Sequence, residues 1–181
     1  NDSTRLNLFL KLAKTTDSDS EGVKAAEEAV NLAKALNLKS KLGEAYILNA
    51  ACILELGNDS LAFSLLNEAL EIFKKSEEEI EEANVYSGLG RIFQYRSQYY
   101  KAIEYNKNAL TIYEKNKNIE LSGKANLNLG VCYYLLSDFA EAAQYYLKAN
   151  NYFEQLGNRQ YVAVTLSNLA RTERELKKYS S

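Results

Sequence analysis

Apolar and small side chains recur along this chain at helical spacing, and the pattern repeats every forty residues. Residues 80–96 place Val85, Leu89, Ile92 and Phe93 on one face of an amphipathic helix. Ser97 and Gln98 break that pattern. Residues 99–116 then place Ala102, Tyr105, Ala109 and Ile112 along the face of a second helix. The same two-helix text returns upstream and downstream. Ala62, Ala102 and Ala142 step by forty, and so do Ala69, Ala109 and Ala149. Ala50, Gly90, Gly130 and Ala170 form another such column, and Ile53, Phe93 and Tyr133 a fourth.

A period in this range means stacked copies of one supersecondary unit. Stacked arrays present extended surfaces and act mostly by binding. The units read as residues 1–39, 40–79, 80–119 and 120–159, with a final helix over 160–181, in a single array. The small columns have a packing reason. Glycine inside a helix costs about 1 kcal/mol, so Gly90 and Gly130 predict close approach of the paired helices. Ala102 and Ala109, two turns apart on one face, predict the same. The large column fills the space between. Breaks recur at Leu56-Gly57-Asn58-Asp59, Arg96-Ser97-Gln98 and Leu136-Ser137-Asp138. Asp59 and Asp138 are expected helix N-caps, and Ser18, Asp19 and Ser20 are expected to do that work in the first unit.

Composition narrows the function classes. Proline is absent and there are only eight glycines among 181 residues, which suits long uninterrupted helices. The net charge of −2 argues against nonspecific binding to nucleic acid or an anionic membrane. No apolar run approaches the ~20 residues of a membrane span. Histidine is absent, which removes the commonest general base and metal ligand. No phosphate loop, zinc spacing or catalytic triad appears, so neither a cofactor nor a catalytic site is expected. The run Glu77-Glu78-Glu79-Ile80-Glu81-Glu82 reads as a solvated helix start that suits the helix dipole. Cys52 and Cys132 lie two units apart, too far for a disulfide, and read as small buried apolar side chains. That fits a reducing compartment, and a cytoplasmic setting is expected.

The columns resemble the tetratricopeptide repeat. The small-residue, aromatic and alanine positions appear as Leu89-Gly90, Phe93, Ala102 and Ala109, and again as Leu129-Gly130, Tyr133, Ala142 and Ala149. The likeness is weaker in the first unit, where Leu10 and Gly22 stand in the small-residue and alanine columns. The forty-residue period and the string Asn128-Leu129-Gly130 are similar to the subtype of kinesin light chains and bacterial Rap-type signalling proteins. The family's tryptophan and closing proline are absent. The resemblance implies an all-α fold, a right-handed superhelix (α-solenoid) of about four and a half helix-turn-helix repeats and about nine helices. It also implies a non-catalytic scaffold that binds a protein or peptide along the concave face lined by the first helices.

Counted along the helices, that face carries Glu44, Ile47, Leu48, Ala51, Leu54 and Glu55, then Asn84, Ser87, Arg91, Gln94 and Tyr95. It continues with Lys124, Leu127, Asn128, Val131, Tyr134 and Leu135, and ends with Ser167, Asn168, Arg171, Arg174 and Glu175. The resemblance singles out Asn128 and Asn168 as amides that grip a peptide backbone. Arg91, Lys124, Arg171 and Arg174 predict an acidic partner. Residues 40–79 hold three basic and eight acidic side chains, a net of −5, whereas 160–181 hold four and two, a net of +2. The apolar Ile47, Leu48, Ala51 and Leu54 predict a hydrophobic anchor at the other end. The alternative reading is a regulatory or sensor segment of a signalling enzyme or transcription regulator.

Tyr179 falls in the column of Tyr99 and Phe139, where a second helix should begin. This, with the absence of methionine, reads as a segment of a longer protein. The last helix is then expected to expose Leu166, Leu169 and Leu176 and to promote self-association.

Overall fold

The computed structural model describes residues 1–15 and 20–179. Among these, the chain is all-α with nine helices. They are α1 (Asp2–Thr15), α2 (Ser20–Ala35), α3 (Lys39–Glu55), α4 (Asp59–Ser76), α5 (Glu79–Tyr95), α6 (Tyr99–Lys115), α7 (Ile119–Leu135), α8 (Phe139–Gln155) and α9 (Arg159–Tyr179). Two compact units result: Asn1–Ile92, and Phe93–Ser181. The forty-residue step survives in the helix starts, at 39, 79, 119 and 159 for one set and at 59, 99 and 139 for the other.

The turns explain this regularity. A residue with positive φ closes a helix every twenty positions: Asn37, Gly57, Glu77, Ser97, Lys117, Ser137 and Gly157. Each provides the left-handed step that ends an α-helix. At most of them two backbone bonds follow. Gly57 N–H donates to Leu54 O at 2.9 Å and Asn58 N–H to Ile53 O at 3.1 Å, the Schellman pairing. Ser97 with Gln98, and Ser137 with Asp138, repeat it. The residue after the turn then caps the next helix. Asn58 Oδ1 accepts from Leu61 N–H, Asn118 Oδ1 from Leu121 N–H, Asp138 Oδ1 from Glu141 N–H and Asn158 Oδ1 from Tyr161 N–H. Asp138 is thus the expected cap. Asp59 is not: it is the first residue of α4, one place inside the helix, and Asn58 caps instead. Ser18 and Asp19 lie outside the described residues, and α2 opens at Ser20.

In the first unit α1 packs on α2 and α3, and α3 on α4. In the second, α7 lies between α6 and α8, and α8 carries α9. The six alanines of the two stepping columns are fully buried. A further column, Phe73, Tyr113 and Phe153, is buried as well. A Cβ at Gly43 would collide with the Phe73 ring, and one at Gly123 would meet the Phe153 ring at 3.0 Å. Small residues on one helix therefore sit under aromatic rings of the next, and Gly130, expected at such a close approach, lies likewise under the Tyr146 ring. Phe93 stacks on Tyr105 with centroids 5.3 Å apart, and Tyr133 on Tyr145 at 5.2 Å. Both cysteines are free and buried. Burial pushes the Cys132 thiol up to about 11, so it is an inert packing group.

Candidate functional site

The expected binding residues fall into two sets, each within one unit. In the first unit, Leu54 is only 4% exposed and belongs to the core rather than to a surface. Leu48 packs on the buried cluster of Ala13, Ala25 and Ala26. Ile47 and Ala51 are half-buried, so the apolar anchor expected here is narrower than the helical count implies. Arg91 makes an ion pair with Glu55 of α3. Asn84 Nδ2 donates to Glu81 Oε2 at 2.9 Å. Lys41 pairs with Glu44 at 2.7 Å.

In the second unit α7 and α9 bring a denser group together. Arg171 is exposed, and its guanidinium carbon lies 4.4 Å from the centroid of the Tyr134 ring. An Arg over an aromatic face within about 6 Å is a cation–π contact. Its Nη2 also donates to Asn168 Oδ1 at 3.3 Å. Tyr134 in turn meets Phe139 edge to face, with centroids 5.4 Å apart. Lys124 pairs with Glu120 at 2.5 Å, and its ammonium lies 5.6 Å from the Tyr161 centroid. Asn128 is half-buried and points its Nδ2 at Asn106 Oδ1, 3.4 Å away. Leu127 is half-buried, and Arg174 is exposed. Gln94 accepts from the buried Cys132 thiol at 3.9 Å, and Tyr95 is 58% exposed.

Beneath this group lies Tyr146, fully buried, with no hydrogen-bond partner for its hydroxyl. Burial pushes its pKa up to about 12, while the Arg171 charge pulls the other way. Each expected side chain is therefore present, but most are held by neighbours. Glu55, itself on the counted face, holds Arg91. Asn106, Glu120, Phe139 and Tyr161 also do the holding, and helical counting along the first helices does not find them. Asn106 stands in the column of Leu66 and Tyr146 and is fully buried, a break in an apolar column that marks the amide beneath Asn128. Among the described residues no cluster of metal-ligating side chains occurs, and no helix is long and apolar enough to cross a membrane.

The tetratricopeptide repeat model matches residues 41–115 and 121–181. The chain belongs to the tetratricopeptide repeat family. Its fold is also that of several solved proteins. Against the apo form of RapI the TM-score is 0.81 at 17% identity, over 99% of this chain and 65% of that one. A signal transduction ATPase with numerous domains from Pyrococcus horikoshii, which carries a tetratricopeptide repeat sensor, gives 0.75 at 19% identity. That match covers 95% of this chain and 27% of the ATPase. A Rap protein complexed with competence and sporulation factor gives 0.61 at 15% identity, over 96% of this chain and 63% of that one. At these identities the likeness carries the fold alone. The chain thus spans under two thirds of each of these three proteins. No curated protein sequence matches it.

Proposed function

We propose that this chain is a non-catalytic interaction module that holds an extended, acidic peptide against the first helices of its repeats. In the second unit the residues are Gln94, Tyr95, Lys124, Leu127, Asn128, Tyr134, Asn168, Arg171 and Arg174; the first unit, taken by itself, offers Asn84 and Arg91. The observation that carries the reading is Arg171: exposed, laid on Tyr134 and tied to Asn168. A guanidinium fixed in plane offers a carboxylate two parallel donors at low entropic cost. The amides supply what an extended backbone needs, because each can donate and accept. Asn128 keeps its carbonyl and Asn168 its amino group for that purpose. Surface charge adds only about 0–1 kcal/mol per pair, so charge orients the peptide, and Leu127 and Tyr134 supply apolar contact.

Family membership and the Rap protein of the same fold, complexed with competence and sporulation factor, support a protein or peptide partner. The buried free thiols suit a reducing, cytoplasmic setting. A second reading, a sensor segment that relays occupancy of this same surface, is supported by the repeat sensor of the signalling ATPase.

Selection from a library of unstructured peptides tests the proposal. Enrichment of Asp and Glu in the retained peptides, lost when Arg171→Glu is the bait, is the expected result. Equal retention by both baits would overturn it.

A further inference from the structure

The side chain in the column of Tyr146 reaches under the first helix of the following repeat. Leu66 would lie 2.9 Å from a Cβ at Gly88, and Asn106 Oδ1 accepts from Asn128 Nδ2 at 3.4 Å. Both pairs are twenty-two residues apart. The same step from Tyr146 arrives at Asn168, whose Oδ1 accepts from Arg171 Nη2 at 3.3 Å. On its other side the Tyr146 ring lies against Gly130, one turn before Tyr134 on α7. The hydroxyl is therefore set among Tyr134, Asn168 and Arg171, close enough to feel the Arg171 charge.

This pocket is rich in donors and short of acceptors. A guanidinium only donates, and one of its N–H groups goes to Asn168 Oδ1. The Cys132 thiol, another neighbour of Tyr146, donates to Gln94 Oε1 at 3.9 Å. Glu175, one turn beyond Arg171 on α9, is paired with Lys178 at 2.8 Å. The hydroxyl of Tyr146, a fully buried residue, has no hydrogen-bond partner. Buried polar groups are normally satisfied, so this surplus calls for a group that only accepts. An ionised carboxylate is such a group.

We propose that Tyr146 sets the specificity of an acid subsite in the second unit, which takes a glutamate side chain: Arg171 holds the carboxylate, and the Tyr146 hydroxyl donates a further hydrogen bond to one of its oxygens. This rests on the peptide reading above. Depth favours glutamate over aspartate. On that reading the peptide backbone lies at Asn128 and Asn168, which are half-buried, whereas Tyr146 is fully buried. The carboxylate has to extend past the amides, and the longer side chain does so. Arg171 is the movable part: it is exposed, and a cation–π contact at an exposed site is weak. It turns from the Tyr134 ring toward the entering carboxylate. The shorter acid leaves the buried hydroxyl unpaired, and a site that leaves a buried polar group unpaired discriminates strongly.

Two synthetic libraries of unstructured peptides, identical except that one has Glu wherever the other has Asp, are the probes. The immobilised wild-type chain should retain the Glu library about tenfold more strongly than the Asp library. Tyr146→Phe should retain both at the wild-type Asp level, and Arg171→Glu should retain neither. Tyr146→Phe removes an oxygen that has no partner, so the variant keeps its fold, and circular dichroism checks that. In the wild-type chain, the carbon-13 signal of Tyr146 Cζ should shift on saturation with the best-retained Glu peptide, as the hydroxyl gains an acceptor. Equal retention of the two libraries by the wild-type chain, an undiminished Glu preference in Tyr146→Phe, or an unmoved Cζ signal would overturn the subsite and leave the acidic-peptide reading standing. Retention of neither library by the wild-type chain would overturn both.

Discussion

Gly130 lies beneath the ring of Tyr146, so close that a Cβ at that position would come 2.6 Å from two ring carbons. Tyr146 is fully buried and cannot swing away without opening the α7–α8 contact. Gly130→Leu should therefore overpack the pair and cost about 1–3 kcal/mol or more. At roughly 2–4 °C per kcal/mol for a chain of this size, a thermal melt by circular dichroism reads the loss directly. An unchanged melting temperature would contradict the contact.

Gly57 offers the opposite case. Its φ is +83° and nothing lies within 4 Å of the place a Cβ would take. Gly57→Ala should cost about 1 kcal/mol through backbone strain alone. Lys117, at φ 54° in the equivalent turn, should gain a comparable amount as Lys117→Gly. Denaturant midpoints shifting in opposite directions for the two variants are the expected outcome.

The Tyr146 hydroxyl is buried without a hydrogen-bond partner, and such a group costs about 1–3 kcal/mol. Tyr146→Phe should therefore melt no lower than the parent. Its pH dependence follows from burial. The folded pKa of Tyr146 is about 12 against the usual 10, and that of Cys132 about 11 against 9. Above pH 9 the native state thus binds more protons than the unfolded chain, and stability falls as pH rises. The stabilisation is intact below about pH 9 and is lost through 11–12. Urea titrations from pH 8 to 12 should show a shallower decline in Tyr146→Phe; equal slopes would contradict this.

Asn128→Ala combined with Asn168→Ala should weaken a selected acidic peptide by about tenfold or more, since each hydrogen bond contributes about 0.5–1.5 kcal/mol. The loss should persist at high salt. Arg171→Glu should slow association instead, with the effect shrinking as salt rises. Surface plasmon resonance at two ionic strengths separates the two behaviours.

Much of the fold is legible because forty-residue columns survive translation into structure. Alanines at 62, 102 and 142 are all fully buried. The N-cap of α4 was less legible. Asn58 and Asp59 are adjacent residues of capping type, and only the left-handed step at Gly57 decides between them. Counting 100° per residue puts Leu54 on the surface, yet it is buried. The ion pair of Arg91 with Glu55 joins residues 36 apart in sequence and two helices that need the fold to bring them together. Asn106 beneath Asn128 is a tertiary contact of the same kind.

The most direct test of the binding surface is an NMR titration of the side-chain amides with a selected acidic peptide. The Nδ2 resonances of Asn128 and Asn168 should shift in a saturable way, together with the ring signals of Tyr134. Shifts confined to the outer faces of α6 and α8, around Leu147, with Asn128 and Asn168 unmoved, would contradict the assignment.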